Sequence, residues 1–477
     1  MRVLLISPFR GLTYESVGIR VPPLGLLYIA AVLRQAGHDV ELDVSEDPQQ
    51  QENLDFSYYD VVGLTSTTCQ FNKALKIAER ATQAGKIVIM GGPHPTSSAG
   101  EALKSGFVNY VVRGEGEDTV TELLEALPHR STANFGKILG LSWIDETTGQ
   151  IIHNPPRPFI TNLDRLPYPA RDLGGSAFHY RNLGVDGQIN PSLVTTRGCP
   201  FGCKFCDVHI LAGQKFRTRS PHLVVDEIEY LATEFGARNI RILDDIINFS
   251  PERVHQLFNE IIRRRLQLNI WVMGRADMLL RDPSTVEVMA RAGVKTMFLG
   301  IESPHKRILK AFHKGGKASA DTSSQAVNLL REYGIGTFAG FILGEFSETE
   351  QEIKQTIEYA CELNPATAQF SILTPYPGTE TWQSLKPHLI TRDWDLYDGL
   401  HAVFNGQHLT ALEMEHLLRK AYLKFYLRPG RLVKQLAAAA TQKGYLLGAP
   451  RVKTVLQIFK LLRGIYPRSR KMALERR

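Results

Sequence analysis

Three cysteines fall within eight residues in the stretch Thr195-Thr196-Arg197-Gly198-Cys199-Pro200-Phe201-Gly202-Cys203-Lys204-Phe205-Cys206. Three thiolates on one short loop can each bind an iron of a 4Fe-4S cluster, which leaves the fourth iron without a protein ligand. The chain has five cysteines in all, and the other two are Cys69 and Cys361. This pattern does not resemble a disulfide framework, and a metal cluster favours a reducing, cytoplasmic compartment.

The cysteine loop follows the first of six predicted strands, and strand and helix signals alternate after it. Apolar runs indicate the strands, and apolar residues at three- and four-residue spacing indicate the helices. Six such units predict a partial (β/α)6 barrel, with its chemistry at the carboxyl ends of the strands. The predicted strands lie near Ser192 to Thr196, Ile240 to Leu243, Ile270 to Met273, Val294 to Leu299, Thr337 to Leu343 and Gln369 to Leu373. The predicted helices lie near Leu223 to Phe235, Pro251 to Arg264, Ser284 to Arg291, Ala318 to Tyr333 and Glu348 to Leu363.

The spacing Cys-x3-Cys-x2-Cys, with Phe205 before the last cysteine and a barrel after it, resembles the radical S-adenosylmethionine (SAM) superfamily. The resemblance implies that the open iron binds the amino and carboxylate groups of SAM. It also implies that one electron, from a donor such as flavodoxin or ferredoxin, cleaves SAM to a 5′-deoxyadenosyl radical. The alternative is a structural zinc site that takes His209 as its fourth ligand.

The same resemblance implies that loops at the strand ends hold the methionyl amine, the carboxylate and the ribose of SAM. Arg275 is then a partner for the carboxylate, and Glu302 a partner for a ribose hydroxyl or the amine. Each of these polar groups has an alternative interpretation as a helix cap or a solvated loop charge. The candidate SAM-binding residues are Phe205, Asp244, Arg275, Glu302 and Thr374.

The first 130 residues also alternate strand and helix signals, which predicts a doubly wound α/β domain with a parallel sheet. Ligands of such sheets bind beyond the carboxyl ends of the strands. The first strand ends in Ser7-Pro8-Phe9-Arg10-Gly11, which lacks the Gly-x-Gly-x-x-Gly pattern and so disfavours a dinucleotide. The predicted binding loops are Ser7 to Arg10, Thr65 to Thr68, Gly91 to Thr96 and Gly114 to Glu117.

Joined to a radical SAM barrel, these loops and Arg20-Val21-Pro22-Pro23-Leu24 look like the cobalamin-binding domain of one large family. That family includes the anaerobic magnesium-protoporphyrin monomethyl ester cyclases and the hopanoid methylases. The motif Asp-x-His-x-x-Gly is absent from this domain, so the resemblance implies cobalamin without a histidine lower ligand. A degenerate domain that has lost cobalamin is the alternative. The candidate cobalamin-binding residues are Ser7, Pro23, Thr65, Ser66, Thr67, Gly91, Gly92, His94, Gly114 and Glu115.

Length and composition agree with several globular domains, because 477 residues exceed one ordinary core and 43% of them are apolar. We expect a doubly wound domain at 1–130, a linker with a small hairpin at 131–188, the partial barrel at 189–380 and a helical, basic region at 381–477. The aromatic segment Trp394 to Phe404 gives a candidate substrate cavity with Tyr397, Asp398 and His401. The alternative, which we favour, is that the aromatic residues of this segment are core.

The basic charge belongs to the end of the chain, where residues 428–477 hold 13 lysines and arginines against one acid. Val452 to Tyr466 has the spacing of a basic amphipathic helix, which can lie on an anionic membrane or dock on the protein itself. Aromatic residues are not interleaved with the charge, so we expect no nucleic-acid partner. No signal peptide or membrane span is predicted. We therefore expect a cytoplasmic protein with peripheral contact at the inner face of the membrane.

These features predict a cobalamin-dependent radical SAM enzyme that C-methylates an unactivated carbon. A barrel of six units leaves a lateral opening, and with the basic tail it favours a large, mostly apolar substrate such as an isoprenoid lipid or a tetrapyrrole. An oxidative cyclase is the first alternative, because the family resemblance implies the same cofactors for both reactions. A zinc-stabilised or cobalamin-binding sensor without enzymatic activity is the second.

Overall fold

The computed structural model of the protein describes residues 1–9, 23–45, 48–129, 134–173 and 190–429. Two large sheets organise this part of the chain, a mostly parallel one in the first 153 residues and a parallel one between residues 192 and 372. No helix within the described residues combines the length and the apolar character needed to cross a bilayer. The predicted amphipathic helix from Val452 to Tyr466 lies outside the described residues.

The first sheet has the strand order β2-β1-β3-β4-β5-β6-β7. Its first five strands are parallel, which confirms the doubly wound prediction, and its last two are antiparallel. The strands are β1 (Arg2–Ile6), β2 (Asp39–Asp43), β3 (Val61–Thr65), β4 (Ile87–Gly91), β5 (Tyr110–Val112), β6 (Leu141–Ile144) and β7 (Ile151–His153).

Helices cover both faces of this sheet because alternate strand residues point to opposite sides. Val3 and Leu5 of β1 pack in one core cluster with apolar residues of α1 and α6. Leu4 and Ile6 pack in the other cluster with residues of α3 and α5. The helices of this domain are α1 (Leu24–Gln35), α2 (Pro48–Glu52), α3 (Phe71–Gln83), α4 (Pro93–Ser97), α5 (Ala99–Lys104) and α6 (Glu117–Ala126).

The hairpin that we predicted within the linker is part of the first sheet. Its strand β6 pairs with β5, where Tyr110 lies opposite Trp143 and Val112 opposite Leu141. This pairing covers the edge that β5 would otherwise expose. The sheet therefore reaches His153, well past the expected boundary at residue 130.

The second sheet has the order β15-β14-β13-β12-β11-β8, and all of its neighbouring strands are parallel. Six strands with helices between them confirm the predicted partial barrel. Its strands are β8 (Ser192–Leu193), β11 (Asn239–Ile242), β12 (Asn269–Gly274), β13 (Val294–Glu302), β14 (Gly336–Leu343) and β15 (Thr367–Ile372). Its helices are α7 (Val208–Leu211), α8 (Pro221–Glu234), α9 (Pro251–Arg263), α10 (Ala276–Leu279), α11 (Ser284–Arg291), α12 (Lys306–Ala311), α13 (Ala320–Glu332) and α14 (Glu350–Leu363).

Two short strands, β9 (Thr196–Arg197) and β10 (Arg217–Thr218), form a separate antiparallel pair around the cysteine loop. After the barrel come α15 (Glu380–Leu385) and α16 (Ala411–Tyr426). Helix α16 covers the edge strand β15, since the hydroxyls of Tyr422 and Tyr426 donate to the carbonyls of Phe370 and Ala368 at 2.9 and 2.7 Å. The last edge of the barrel sheet is thus closed by side chains.

Candidate functional site

A cavity of about 380 Å³ lies between the first domain and the start of the barrel. One wall is aliphatic and comes from the first sheet and from α1 and α6, including Val3, Leu5 and Ile89. The opposite wall comes from the barrel and includes Arg197, Leu211 and Leu243. Because Arg197 is two residues before Cys199, the cavity borders the cysteine loop.

Glycine backbone forms the carboxyl-end wall of this cavity. Gly92 has a φ of +97°, and a Cβ there would lie 2.7 Å from Thr65 Oγ1 and 3.0 Å from the backbone nitrogen of Ser66. A residue with a side chain would therefore strain the backbone and collide with the Thr65–Ser66 segment beside the cavity. A bare backbone beside apolar walls fits the close approach of a large cofactor such as cobalamin.

Half of the predicted cobalamin-binding residues line the cavity, namely Thr65, Gly91, Gly92, Gly114 and Glu115. The other half do not: Ser7, Pro23, Ser66, Thr67 and His94. The hydroxyls of Ser66 and Thr67 hold the loop itself, since Ser66 donates to the carbonyl of Thr67 at 2.8 Å and Thr67 to Gln70 Oε1 at 2.7 Å. The backbone carbonyl of Ser7 accepts from Gln51 Nε2 at 2.9 Å. Pro23 is the residue before the first turn of α1.

His94 is buried among aromatic rings instead of facing the cavity. Its ring centroid lies 4.2 Å from that of Phe71 and 4.8 Å from that of Trp394. Nδ1 is 3.4 Å from Thr68 Oγ1, while Nε2 has no hydrogen-bond partner among the described residues. Burial lowers the pKa of His94 to about 4, so the ring is neutral at physiological pH. These contacts give His94 a role in packing the first domain against the segment after the barrel, and its contact with cobalamin stays a prediction.

The cysteine loop is held by tight backbone contacts at both of its ends. Gly198 has a φ of +89°, and a Cβ there would lie 2.5 Å from the carbonyl oxygen of Lys215 and 2.8 Å from that of Ala212. The backbone nitrogen of Cys199 donates to the carbonyl of Gly213 at 3.1 Å, and that of Cys206 donates to Cys203 at 3.0 Å. Only glycine fits before Cys199, so the first cysteine has a fixed place.

The three thiols are partly or fully buried beside two cationic side chains. Burial raises the pKa of Cys199, Cys203 and Cys206, whereas Lys314 and Arg275 lower that of Cys203. Three thiol donors on one loop suit the iron-sulfur chemistry inferred from their spacing. Within the described ranges, no three histidine, cysteine or carboxylate side chains are placed to hold a single metal ion.

Asp244 supports the strand end before the cysteine loop and is fully occupied by it. Its carboxylate accepts from the backbone nitrogen and the hydroxyl of Thr195 at 2.6 and 2.5 Å, and from the backbone nitrogen of Thr196 at 3.1 Å. The following residue, Asp245, accepts from the backbone of Gly198, and burial raises its pKa to about 6. Asp245 thus bonds the loop itself and Asp244 the strand end before it, and the role of Asp244 in SAM binding stays a prediction.

Arg275 also differs from its predicted role, because protein groups already hold its guanidinium. It forms an ion pair with Asp277 at 3.0 Å and donates to the carbonyls of Lys314 and Gly315 at 2.9 and 3.0 Å. Its Cζ lies 3.7 Å from the ring centroid of Phe201 in the cysteine loop. Arg275 therefore holds the segment around residues 314 and 315 against the cysteine loop, and its predicted pairing with the SAM carboxylate would require it to exchange these partners.

Glu302 lies where the resemblance implied it, at the end of β13, but it is paired with Lys314. Lys314 Nζ is 2.5 Å from Glu302 Oε1, and both side chains are buried. Phe205 packs edge-on against Phe312 with centroids 5.2 Å apart, beside the same segment. Thr374 donates to the carbonyl of Ile372 at 3.1 Å. Of the predicted SAM-binding residues, Phe205, Arg275 and Glu302 surround the loop from 312 to 316, whereas the Asp244 and Thr374 contacts stay within strand ends.

The predicted substrate-cavity residues belong to the core. Tyr397 is 1% exposed, and its hydroxyl donates to the carbonyl of Thr391 at 3.0 Å. Asp398 accepts from His401 Nδ1 at 3.0 Å and from the backbone nitrogen of Leu400 at 2.8 Å. The favoured core interpretation of this segment is consistent with these contacts.

Several residues of the site were missed by the sequence analysis. Lys314 and Asp277 are buried partners of predicted residues, and a signal for Lys314 was available in the doublet Gly315-Gly316 that follows it. Arg197 and Glu117 both line the cavity and form an ion pair at 2.6 Å. Arg197 lies two residues before the first cysteine, and Glu117 lies in the predicted binding loop Gly114 to Glu117. These positions could have identified both residues from the sequence.

Two protein families match separate parts of the chain. The radical SAM superfamily matches residues 193–360, and the B12 binding domain matches residues 12–124. The first match covers the cysteine loop and most of the second sheet. The second match covers strands β2 to β5 of the first sheet and the glycine loops that follow β4 and β5.

Three relatives match nearly the whole chain. An uncharacterized methyltransferase of Pyrococcus horikoshii is 33% identical over 91% of this chain and 95% of its own. The hopanoid C-3 methylase of Methylococcus capsulatus is 29% identical over 84% of this chain and 76% of its own. The anaerobic magnesium-protoporphyrin IX monomethyl ester cyclase of Rubrivivax gelatinosus is 27% identical over 94% of this chain and 81% of its own.

Two solved structures share the fold. The cobalamin-dependent SAM radical enzyme OxsB with aqua-cobalamin has a TM-score of 0.71 and 16% identity, over 99% of this chain and 80% of that one. The radical SAM methyltransferase TsrM from Kitasatospora setae, with cobalamin and a 4Fe-4S cluster, has a TM-score of 0.67 and 19% identity, over 90% and 89%. Both combine the same two kinds of domain found here.

Proposed function

Because the chain belongs to the radical SAM enzymes that carry a cobalamin-binding domain, we propose that it C-methylates an unactivated carbon of a large, mostly apolar substrate. One observation carries this proposal: Arg197, two residues before Cys199, and Gly92, at the end of β4, line the same cavity. A methyl carrier in that cavity would lie beside the cluster loop. When bound, the cluster and SAM supply the one-electron cleavage, and cobalamin supplies the methyl group.

Different residues of this chain would hold the cluster, cobalamin and SAM. Cys199, Cys203 and Cys206 would hold the 4Fe-4S cluster through their thiolates. The cavity walls, with Thr65, Gly91, Gly92 and Gly114, would hold cobalamin by backbone contact and apolar packing, and no histidine is found among the described residues that line the cavity. Arg275 orients the 314–315 segment over the loop, and Glu302, which is paired with Lys314, would be a buried carboxylate able to bind a polar group of SAM.

The names of the relatives support the substrate class. One relative is a hopanoid methylase, and another two are bacteriochlorophyllide methyltransferases of Chlorobaculum tepidum, at 29% and 26% identity. Isoprenoid lipids and tetrapyrroles are both large and mainly apolar. We therefore propose one of these two classes as the substrate.

The proposed electron donor is an acidic protein such as flavodoxin or ferredoxin. Exposed basic side chains surround the cysteine loop: the Lys204 side chain is 44% exposed, and Lys310, His313 and Lys317 lie on the adjoining exposed surface. The backbone of Lys204 donates to the carbonyl of Phe312 at 3.0 Å, which joins the two segments. A basic surface beside the cluster is complementary to an acidic donor.

Oxidative cyclisation is the second candidate, supported by the Rubrivivax relative that spans 94% of this chain. Anaerobic turnover with dithionite, hydroxocobalamin and SAM labelled in its methyl group separates the two reactions. Label in the product supports the methylase. Formation of 5′-deoxyadenosine with an altered but unlabelled product supports the cyclase, and no SAM cleavage at all contradicts both.

Peripheral membrane contact through the basic tail is a proposal that follows from the apolar substrate. Residues 449–477 carry most of the tail's amphipathic pattern. Their removal should abolish sedimentation with anionic liposomes and leave 5′-deoxyadenosine formation intact. A full-length protein that never sediments with such liposomes contradicts this proposal.

A further inference from the structure

An interdomain ion-pair network, formed by Glu115, Glu117, Arg197 and Arg217, joins the first domain to the strands around the cysteine loop. Arg197 reaches Glu115 at 3.0 Å and Glu117 at 2.6 Å. Arg217 reaches both carboxylate oxygens of Glu115 at 2.9 Å. The two carboxylates come from the loop and first turn before and within α6, and the two arginines come from β9 and β10.

This network is buried and faces the cavity. The side chains of Glu115 and Glu117 are 8% and 6% exposed, and that of Arg217 is 3% exposed. Glu115, Glu117 and Arg197 all line the cavity. Burial opposes the charge of Arg197, but Glu117 and Glu115 raise its pKa above the usual value, so the guanidinium stays charged. Buried, hydrogen-bonded ion pairs of this kind are costly to break from one side.

The same arginines fix the backbone on both sides of the first cysteine. Arg197 precedes Gly198, which has no room for a side chain, and Gly198 precedes Cys199. Arg217 donates to the carbonyl of Ala212 at 2.6 Å, next to Gly213, whose carbonyl accepts from the Cys199 backbone. A shift of the Glu115 to Glu117 loop is therefore transmitted to the position of Cys199 through short, rigid contacts.

We propose that Arg197 is a positioning residue that couples occupancy of the cavity to the SAM site at the cysteine loop. This inference rests on the proposed function, since cobalamin is the expected occupant and SAM the expected ligand of the cluster. A ligand against Glu115 and Glu117 holds their loop in one place, and Arg197 passes that constraint to Cys199. By thermodynamic linkage, each ligand then changes the affinity of the other by the same factor.

The test measures binding and needs no turnover. The full-length protein with its reconstituted cluster is dialysed anaerobically against labelled SAM, without reductant, with and without saturating hydroxocobalamin. We expect hydroxocobalamin to change the Kd for SAM by about fivefold or more in the wild type. In Arg197→Gln and Glu117→Gln, the ratio of the SAM Kd values with and without hydroxocobalamin should fall to one while both ligands still bind. Arg197→Lys should restore part of the effect.

Arg264→Gln is the matched control. Arg264 is a partly buried arginine with ion pairs to Asp226 and Glu229 at 2.6 and 2.7 Å, on barrel helices that do not line the cavity. It should keep the wild-type ratio. Iron content per chain checks each variant, and if Arg197→Gln loses its cluster, the isosteric Glu117→Gln decides.

Two results would overturn the coupling. One is a wild-type Kd for SAM that hydroxocobalamin leaves unchanged although both ligands bind, and the other is a wild-type ratio retained in Glu117→Gln. A merely structural role of Arg197 would lower both affinities but leave the ratio of the SAM Kd values, with and without hydroxocobalamin, as it is in the wild type. A wild-type protein that binds no hydroxocobalamin would instead overturn the proposed function, and the coupling with it.

Discussion

The cavity of the first domain and the cysteine end of the barrel differ in how they are arranged before a ligand binds. Most of the cavity wall is glycine backbone and aliphatic side chains, which need no partner, and its charged residues Glu115, Glu117 and Arg197 are paired with one another. At the barrel end, Arg275 is paired with Asp277 and Glu302 with Lys314. Buried charges must be paired, so these groups hold each other until a ligand takes over. The first region is preformed, and the second has to exchange partners.

The first prediction, with the largest expected effect, changes only the cysteine end of the barrel. Cys203→Ala removes one of three proposed iron ligands and should abolish both the cluster and the dithionite-driven formation of 5′-deoxyadenosine. Hydroxocobalamin retention should stay at the wild-type level because the cavity does not include Cys203. Iron analysis, product chromatography and equilibrium dialysis measure these three quantities. Cys361→Ala, on α14, is the control, and SAM cleavage retained in Cys203→Ala would contradict the cluster assignment.

The second prediction changes only the cavity of the first domain. Gly92→Val places a branched side chain on a backbone with a φ of +97° and within 3.0 Å of Ser66. We expect the loop to relax away from its present conformation to relieve the strain and the clash, and hydroxocobalamin affinity to fall by about a hundredfold, because restoring the binding conformation costs about 3 kcal/mol. SAM cleavage should persist.

Gly85→Ala is the matched control, because Gly85 also has a positive φ of +72° but no heavy atom within 4 Å of an added Cβ. Equilibrium dialysis compares the two variants with the wild type. Equal affinities in Gly92→Val and the wild type would exclude this cavity as the cobalamin site.

The third prediction concerns His94, a buried group that is neutral, in contrast to the buried groups that are charged and paired. Burial lowers the pKa of His94 from its ordinary 6.5 to about 4. Between these values the unfolded state binds more protons than the folded state, so stability is lost as the pH falls. This residue alone should lower the free energy of unfolding by about 2 kcal/mol between pH 7.5 and pH 5.

His94→Phe keeps an aromatic ring between Phe71 and Trp394 and should remove this part of the pH dependence. Denaturant titrations at the two pH values measure it. The exposed His408→Phe is the control and should leave the difference unchanged. An equal pH dependence in His94→Phe and the wild type would show that His94 is protonated in the folded state.

The smallest expected effect concerns the surface of the barrel side. Replacing Lys310 and Lys317 by glutamate reverses two exposed charges beside the cysteine loop. We expect SAM cleavage driven by reduced flavodoxin to slow several-fold at low salt, since charge complementarity mainly raises association rates. The dithionite-driven rate should not change. The same reversal at Lys420 and Lys424 on α16 is the control, and an unchanged flavodoxin-driven rate in Lys310→Glu/Lys317→Glu would argue for another docking face.

The sequence predicted the elements better than the partners of their polar groups. Strand ends follow from local apolar runs, so the positions of Asp244, Arg275 and Glu302 at the barrel end were predictable. What each carboxylate or guanidinium binds depends on residues elsewhere in the chain. Asp244 binds Thr195, and Glu302 binds Lys314, and neither pair leaves a periodic signal.

The same limit explains the position of His94 and the boundary of the first domain. His94 is buried because Trp394, 300 residues later, covers it, and no local pattern reports that contact. The β6–β7 hairpin was predicted, but its pairing with β5 depends on which sheet edge is open. Cavity-lining glycines were easier, since their position after a strand already indicates a close backbone approach.

The segment that joins the two domains takes part in the ion-pair network, and this limits how freely the domains can be exchanged between relatives. The backbone nitrogen of Ile160 donates to Glu115 at 2.7 Å, and its carbonyl accepts from Arg217 at 2.6 Å. Phe159 lies under the Arg217 guanidinium, 5.1 Å away. A chimera that imports a foreign first domain must therefore bring a matching connector and a glutamate at position 115. Evolution at these sites should accordingly be concerted, so that a change in one domain is accompanied by a change in the other.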